Sequence, residues 1–352
     1  MNVLMIGVDE TSVGGMLTVV NNYKHNKKFC DITNLKYIAT VIRSNKFVKI
    51  KTFIKKIPEI IYTIKKDKID IVHVHMAERG SVYREGFVIL LAKLMGAKTV
   101  IHMHGADIEE WYNKQNFTIK KLISFIFCSA DRMLVLGYNW LPFMETVMRK
   151  NKDKICVLHN AVEVEPYNKA NKEATDILFY GMLIQRKGIN DLLAAFEMIK
   201  DEIPESIHLR LYGDNKEFDA QKKINEFHLN GRVTYEGWMR SEYRTKVFEN
   251  TLVNILPSYN EGLPMTILES MGYGIPNIST EIAAIPEAII DDVNGFLIKP
   301  GDVSALARKL KNIILDKELW SRFSKSAYEK AKNDFSIDAH LNKLIDIYNQ
   351  II

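Results

Sequence analysis

Short runs of β-branched and aliphatic residues alternate with longer stretches of helical periodicity along the whole chain. In the first half, residues 3–6, 69–75 (IDIVHVH), 99–104 (TVIHMH), 133–136 and 155–158 read as strands. Helices are expected from about Met16 and over 83–95, the latter ended by Gly96. In the second half, 177–180, 208–212, 233–235, 252–256, 276–279 and 295–298 read as strands with helical patterns between them. Strands that alternate with helices predict parallel, doubly wound α/β sheets, and the length accommodates two. The break is expected in the polar stretch 163–174 (EVEPYNKANKEA), which carries Pro166 and no apolar period. Ligands of such sheets sit beyond the carboxyl ends of the strands. The positions to inspect are therefore Gly14-Gly15, His104-Gly105, 181–188, Gly213-Asp214 and 258–269.

Composition narrows the class. The chain has 352 residues, 47% hydrophobic and 26% charged, the balance of an ordinary globular protein. No apolar run approaches the roughly 18 residues that a membrane span needs, and the apolar run 3–8 has no basic residue before it, so no leader peptide is expected. Cys30, Cys128 and Cys156 are odd in number and far apart, which predicts reduced thiols and a cytoplasmic protein. The net charge of +5 is unevenly spread. Residues 1–165 hold 25 Lys and Arg against 16 Asp and Glu, whereas the remainder is slightly acidic. A basic half beside an acidic one suggests different partners for each. Nucleic acid is not among those expected, because the lysines lack interleaved aromatics and a recognisable module.

The stretch 257–274 (PSYNEGLPMTILESMGYG) is the richest in chemistry. It predicts a strand end, a loop Glu261-Gly262-Leu263, and a helix opening at Pro264 whose amino end can hold an anion. Glu261 lies at that mouth and Glu269 two turns inside. Glu269 either accepts hydrogen bonds from a pair of vicinal hydroxyls, as in a ribose, or sits in a salt bridge. The loop 181–188 places adjacent Arg186 and Lys187 after a strand, either to neutralise a diphosphate or as a solvated basic turn. Gly14-Gly15 lets backbone approach a ligand or makes an ordinary turn. His104 either meets a sugar hydroxyl or is structural. Trp238 lies near a base or in the core. His73 and His75 face one side of a strand, but with no third His or Cys near them no metal site is expected. Asp-x-Asp, which would bridge a metal to a diphosphate, is absent.

Together, Glu261-x7-Glu269, the Gly181…Arg186-Lys187-Gly188 loop, Gly14-Gly15 and His104-Gly105-Ala106-Asp107 resemble the retaining glycosyltransferases of family 4. The segments 157–162 (VLHNAV), 294–297 (NGFL) and 300–302 (PGD) resemble further parts of that family. The resemblance implies the GT-B architecture, two doubly wound Rossmann-like domains facing an interdomain cleft. It implies an acceptor domain over 1–165, joined by the C-terminal helix 337–352, and a donor domain over 166–336. A nucleotide-diphosphate sugar, UDP-linked by default, would bind with Glu269 on the ribose and Gly14, Gly15, Arg186 and Lys187 on the diphosphate. Glu261, Gly262, Leu263 and His104 would hold the donor sugar, with His104, Lys187 and Glu261 as the catalytic set. No cofactor and no metal is implied. The acceptor would be a glycan or a lipid-linked molecule in cell-surface polysaccharide or glycolipid synthesis. The chain departs from the family in having Met182 where an Arg often stands, with Arg186 as its substitute. A nucleotide-sugar 2-epimerase of the same fold and a non-catalytic sugar-nucleotide-binding protein are the alternatives.

One segment lies outside that pattern. From Arg43 to Lys68 the apolar residues Phe47, Ile50, Ile54, Ile57, Ile61 and Ile64 recur at helical spacing among nine Lys or Arg and two acids. The stripe packs on its own sheet with the lysines solvated, or the segment seats the protein peripherally on an anionic cytoplasmic membrane face, or both hold, with the stripe inside and the lysines facing the head groups. Pro58 is expected to kink the helix or start a second one.

Overall fold

Six strands of the first half form one parallel sheet: β1 (Val3–Val8), β2 (Lys36–Val41), β3 (Ile71–Met76), β4 (Lys98–Met103), β5 (Arg132–Val135) and β6 (Ile155–Val157). Their order is β2-β1-β3-β4-β5-β6. The second half builds another parallel sheet from β7 (Asp176–Tyr180), β8 (His208–Tyr212), β9 (Val233–Gly237), β10 (Thr251–Leu256), β11 (Asn277–Thr280) and β12 (Gly295–Ile298). Its order is β12-β11-β10-β7-β8-β9. This computed structural model describes residues 1–12, 15–167, 170–214 and 218–352. The chain divides into two compact units, Met1–Asn160 with Asp338–Ile352, and Ala161–Ile337.

In the first unit, every residue of β3 is buried, as expected of a central strand covered on both faces. Leu4, Ile6, Val72, Val74, Ile101 and Met103 turn one way and join the core formed with Ile89 and Ile126 of the helices Gly80–Leu94 and Phe117–Ser129. The alternate residues of β3 and β4 turn the other way. They meet Tyr23 of the helix Gly15–His25 and Tyr348 of the terminal helix Ile337–Asn349. The edge strand β2 was not expected from the sequence. It begins with an exposed Lys and buries only Ile38 and Thr40 fully, so its apolar signal is weak.

The residues 46–66 form one helix, Lys46–Lys66, with Pro58 inside it, so the proline does not divide the segment. Ile64 of the expected stripe is buried, as is Ile60, which lies outside it, while Ile57 and Ile61 are half-buried. The first half of the expected stripe is not buried: Phe47 is 84% exposed, and Ile50 and Ile54 also face solvent.

In the second unit the strands, numbered within the sheet, run 3-2-1-4-5-6, and the order reverses between β7 and β10. That reversal is where an open parallel sheet leaves a crevice at its carboxyl edge. The loops after β7 and β10 are those that carry Arg186, Lys187 and Glu261.

Candidate functional site

The two loops at the reversal are knitted together. After β7 the chain makes a turn over Gln185–Lys187 and then enters the helix Ile189–Ile199 through Gly188, which has φ 70° and ψ 25°. A Cβ at Gly188 would lie 2.0 Å from the carbonyl oxygen of Pro257, so both the backbone and the space require glycine. Tyr259 N–H donates to the Arg186 carbonyl at 2.8 Å, and Arg186 Nη1 donates to the Asn260 carbonyl at 2.7 Å. Lys187 Nζ pairs with Glu261 Oε1 at 2.5 Å, and Ser258 Oγ donates to the same oxygen at 2.7 Å. Glu261 is buried and the Lys187 side chain nearly so. Gly262 and Leu263 follow, and the helix Met265–Gly272 opens after Pro264.

Glu269 is buried inside that helix and forms an ion pair with Arg244 of the helix Ser241–Glu249. Burial pushes its carboxyl above the ordinary value, against the opposing pull of Arg244. The Arg244 guanidinium lies 5.9 Å from the ring centre of Tyr180, and Trp238 meets Tyr180 edge-on at 6.3 Å. Trp238 is 40% exposed, so it is not a core tryptophan. Arg244 carries no local motif, and the sequence reading missed it. Charged side chains of both signs thus gather at or beside the reversal, among them Arg186, Lys187 and Arg244 and the acids Glu261 and Glu269. Asp191, which accepts from Tyr259 Oη at 2.7 Å, adds a third acid beside these loops.

In the first unit, Gly15 opens the helix Gly15–His25, while Gly14 lies outside the described residues. His104 follows β4, with its N–H donating to the Met76 carbonyl at 2.7 Å. Its Nε2 lies 2.9 Å from His75 Nδ1, and burial holds its imidazole down at about 3. The expectation that no third histidine stands near His73 and His75 is overturned. In the parallel pairing of β3 with β4, His75 lies opposite His102, so residues distant in sequence share one face. His73, His75 and His102 are buried, with one ring nitrogen of each within 4.8 Å of the others.

The sequence comparisons bear on these arrangements. Residues 163–330 match the family "Glycosyl transferases group 1", and residues 13–135 match "Glycosyl transferase 4-like". The chain belongs to the group 1 glycosyltransferases. A Klebsiella pneumoniae protein described as an uncharacterized 41.2 kDa protein in the cps region is 25% identical over 99% of each chain. The Escherichia coli UDP-Gal:alpha-D-GlcNAc-diphosphoundecaprenol alpha-1,3-galactosyltransferase is 25% identical over 90% of this chain and 84% of that one. HepE of Anabaena, solved in complex with UDP-glucose, superposes with a TM-score of 0.76 at 14% identity, covering 99% of each chain. The fold of this glycosyltransferase is therefore GT-B, with two Rossmann-like units.

Proposed function

We propose that this glycosyltransferase moves a hexosyl or N-acetylhexosaminyl unit from a nucleoside-diphosphate sugar to a glycan or lipid-linked acceptor in polysaccharide synthesis. The observation that carries this reading is the buried Lys187–Glu261 pair beside Arg186 at the strand-order reversal. UDP is the first donor nucleotide to test, as a relative acts with UDP-Gal and a structural neighbour binds UDP-glucose. Cation and amide groups fixed before the reaction stabilise the charge that develops on a leaving diphosphate. In the proposed step the bond from the anomeric carbon to the diphosphate oxygen breaks. A bond to the acceptor oxygen forms on the same face, and the acceptor proton passes to the departing phosphate. Configuration is thereby retained.

Arg186 and Lys187 take the electrostatic role that a bridging metal has elsewhere, so the transfer is metal-independent. Glu269 grips the ribose by exchanging part of its Arg244 pairing for hydroxyl contacts, and Trp238 flanks the base. Ion-paired carboxylates are poor nucleophiles, which favours Glu261 as a sugar-binding group. The exposed Phe47, Ile50 and Ile54, set among Lys46, Lys51 and Lys55, support seating on an anionic membrane. Among the described residues no helix is long and apolar enough to cross one.

The test is a calorimetric screen of UDP-, GDP-, ADP- and dTDP-sugars, followed by transfer assays in excess EDTA with the donor that binds. Binding of one nucleotide class and transfer unaffected by EDTA are expected. Transfer abolished by EDTA and restored by Mg²⁺ or Mn²⁺ would overturn the metal-free assignment. Conversion of donor to an epimer without acceptor would overturn the transferase reading.

A further inference from the structure

We propose that His73, His75 and His102 form a binding site for a single transition-metal ion of the zinc class, buried within the first unit. The site stands on its own geometry and owes nothing to the donor assignment. All three rings project from one face of adjacent parallel strands, His75 and His102 as direct partners and His73 two residues earlier. One ring nitrogen of each lies within 4.8 Å of the other two. A triangle of that size puts its centre about 2.8 Å from each corner at most, against 2.0–2.1 Å for zinc–imidazole bonds. Small ring movements close the difference.

The hydrogen bonding around the cluster engages one ring nitrogen of His73 and one of His75 and leaves the other ring nitrogens without a protein partner. His73 Nδ1 is bonded to Tyr348 Oη at 2.5 Å, and His75 Nδ1 to His104 Nε2 at 2.9 Å. His73 Nε2, His75 Nε2 and both nitrogens of His102 are buried with no hydrogen-bond partner. Buried polar groups are almost always satisfied, so four unmatched imidazole nitrogens in one place need an explanation. A metal-bound histidine typically has its far nitrogen held by a second partner, as Tyr348 and His104 hold two of these.

Three nitrogen donors with no carboxylate or thiolate in the set suit Zn²⁺, Co²⁺, Ni²⁺ or Cu²⁺ rather than Mg²⁺, Ca²⁺ or Mn²⁺. Three histidines plus one open position is a known zinc arrangement. The terminal helix Ile337–Asn349 covers the site through Tyr348, so loading requires that helix to lift and is expected to be slow. Once bound at His75 Nε2, the ion would leave Nδ1–H to donate to His104 Nε2, fixing the tautomer of His104.

Full-length protein, stripped with chelator and dialysed, is incubated overnight with Zn²⁺ or Co²⁺, desalted, and assayed for metal. One equivalent per chain is expected in the wild type and in His25→Ala, an exposed histidine used as control. His102→Val should lose at least tenfold in affinity. The wild-type Co²⁺ complex should show the visible bands of four- or five-coordinate cobalt, and Zn²⁺ should raise the melting temperature. The wild-type spectrum decides the matter even if His102→Val does not fold. No retained metal in the wild type, a six-coordinate Co²⁺ spectrum, or equal retention by a folded His102→Val would overturn the proposal.

Discussion

Replacing Gly188 with alanine tests whether the turn bearing Arg186 and Lys187 is held by steric necessity. Two costs apply. At φ 70° an L-residue is disfavoured by roughly 1–2 kcal/mol. The new Cβ would also lie 2.0 Å from the Pro257 carbonyl oxygen and 2.8 Å from its carbon. Those atoms are backbone and cannot swing aside, so the turn must move, at a further cost of about 1–3 kcal/mol by analogy with overpacked cores. Gly231 supplies the control. It has φ 82° in the same unit, with nothing within 4 Å of its would-be Cβ. Gly231→Ala should therefore cost only the backbone term. For a unit of this size about 2–4 °C of melting temperature accompanies each kcal/mol. Calorimetry should show Gly188→Ala melting lower than Gly231→Ala by several degrees. Titration with the nucleoside diphosphate that binds the wild type should show affinity lost in Gly188→Ala and kept in Gly231→Ala. Equal melting shifts, or unchanged nucleotide affinity in Gly188→Ala, would refute the reasoning.

Lys187→Ala should lower kcat by about 10²–10³-fold with a smaller effect on KM, because the leaving group gains charge only in the transition state; steady-state kinetics with a fixed acceptor measures it. Arg244→Gln leaves Glu269 buried without its cation and should cost about 1–3 kcal/mol at neutral pH. Because burial already raises the Glu269 pKa, the folded state holds that proton more tightly than the unfolded one. The loss should shrink as pH falls through the raised value, and urea titrations from pH 8 to 5 would reveal a loss that instead stays constant or grows. Co-sedimentation should show anionic but not neutral liposomes retaining the protein at low salt, with release at high salt and in Lys51→Glu/Lys55→Glu/Lys56→Glu. A protein that stays in the supernatant would make the lysines of Lys46–Lys66 a solvated face.

Most of the fold was legible because its signals are local. The stretch IVHVHM reads as a buried strand from composition alone, and the strand runs of both halves fall where the hydropathy puts them. Lys36–Val41 escaped because an edge strand buries half as much and carries half the signal. The helix Lys46–Lys66 shows the opposite failure. Its periodicity was clear, yet periodicity says only that residues share a face, not that the face is covered. Of the stripe, Ile64 packs inward and Ile57 and Ile61 do so in part, while Phe47, Ile50 and Ile54, earlier on the same helix, do not.

The candidate site divides along the same line. Lys187 and Glu261 could each be singled out from the strand-end positions and the glycines around them, since loop chemistry is written nearby. Their pairing could not, because it depends on which strands become neighbours. β7 and β10 are adjacent only through the reversal in strand order, and that reversal sets two loops, 74 residues apart, within one hydrogen bond. Arg244 sits in the polar segment SEYRTKVFE, where nothing local distinguishes it from its neighbours; only the fold brings it to Glu269. The same holds for His102, which becomes the partner of His75 through the register of β3 on β4. In a doubly wound sheet, therefore, the sequence names candidates one strand at a time, and chemistry that needs two strands becomes visible only with the strand order and register.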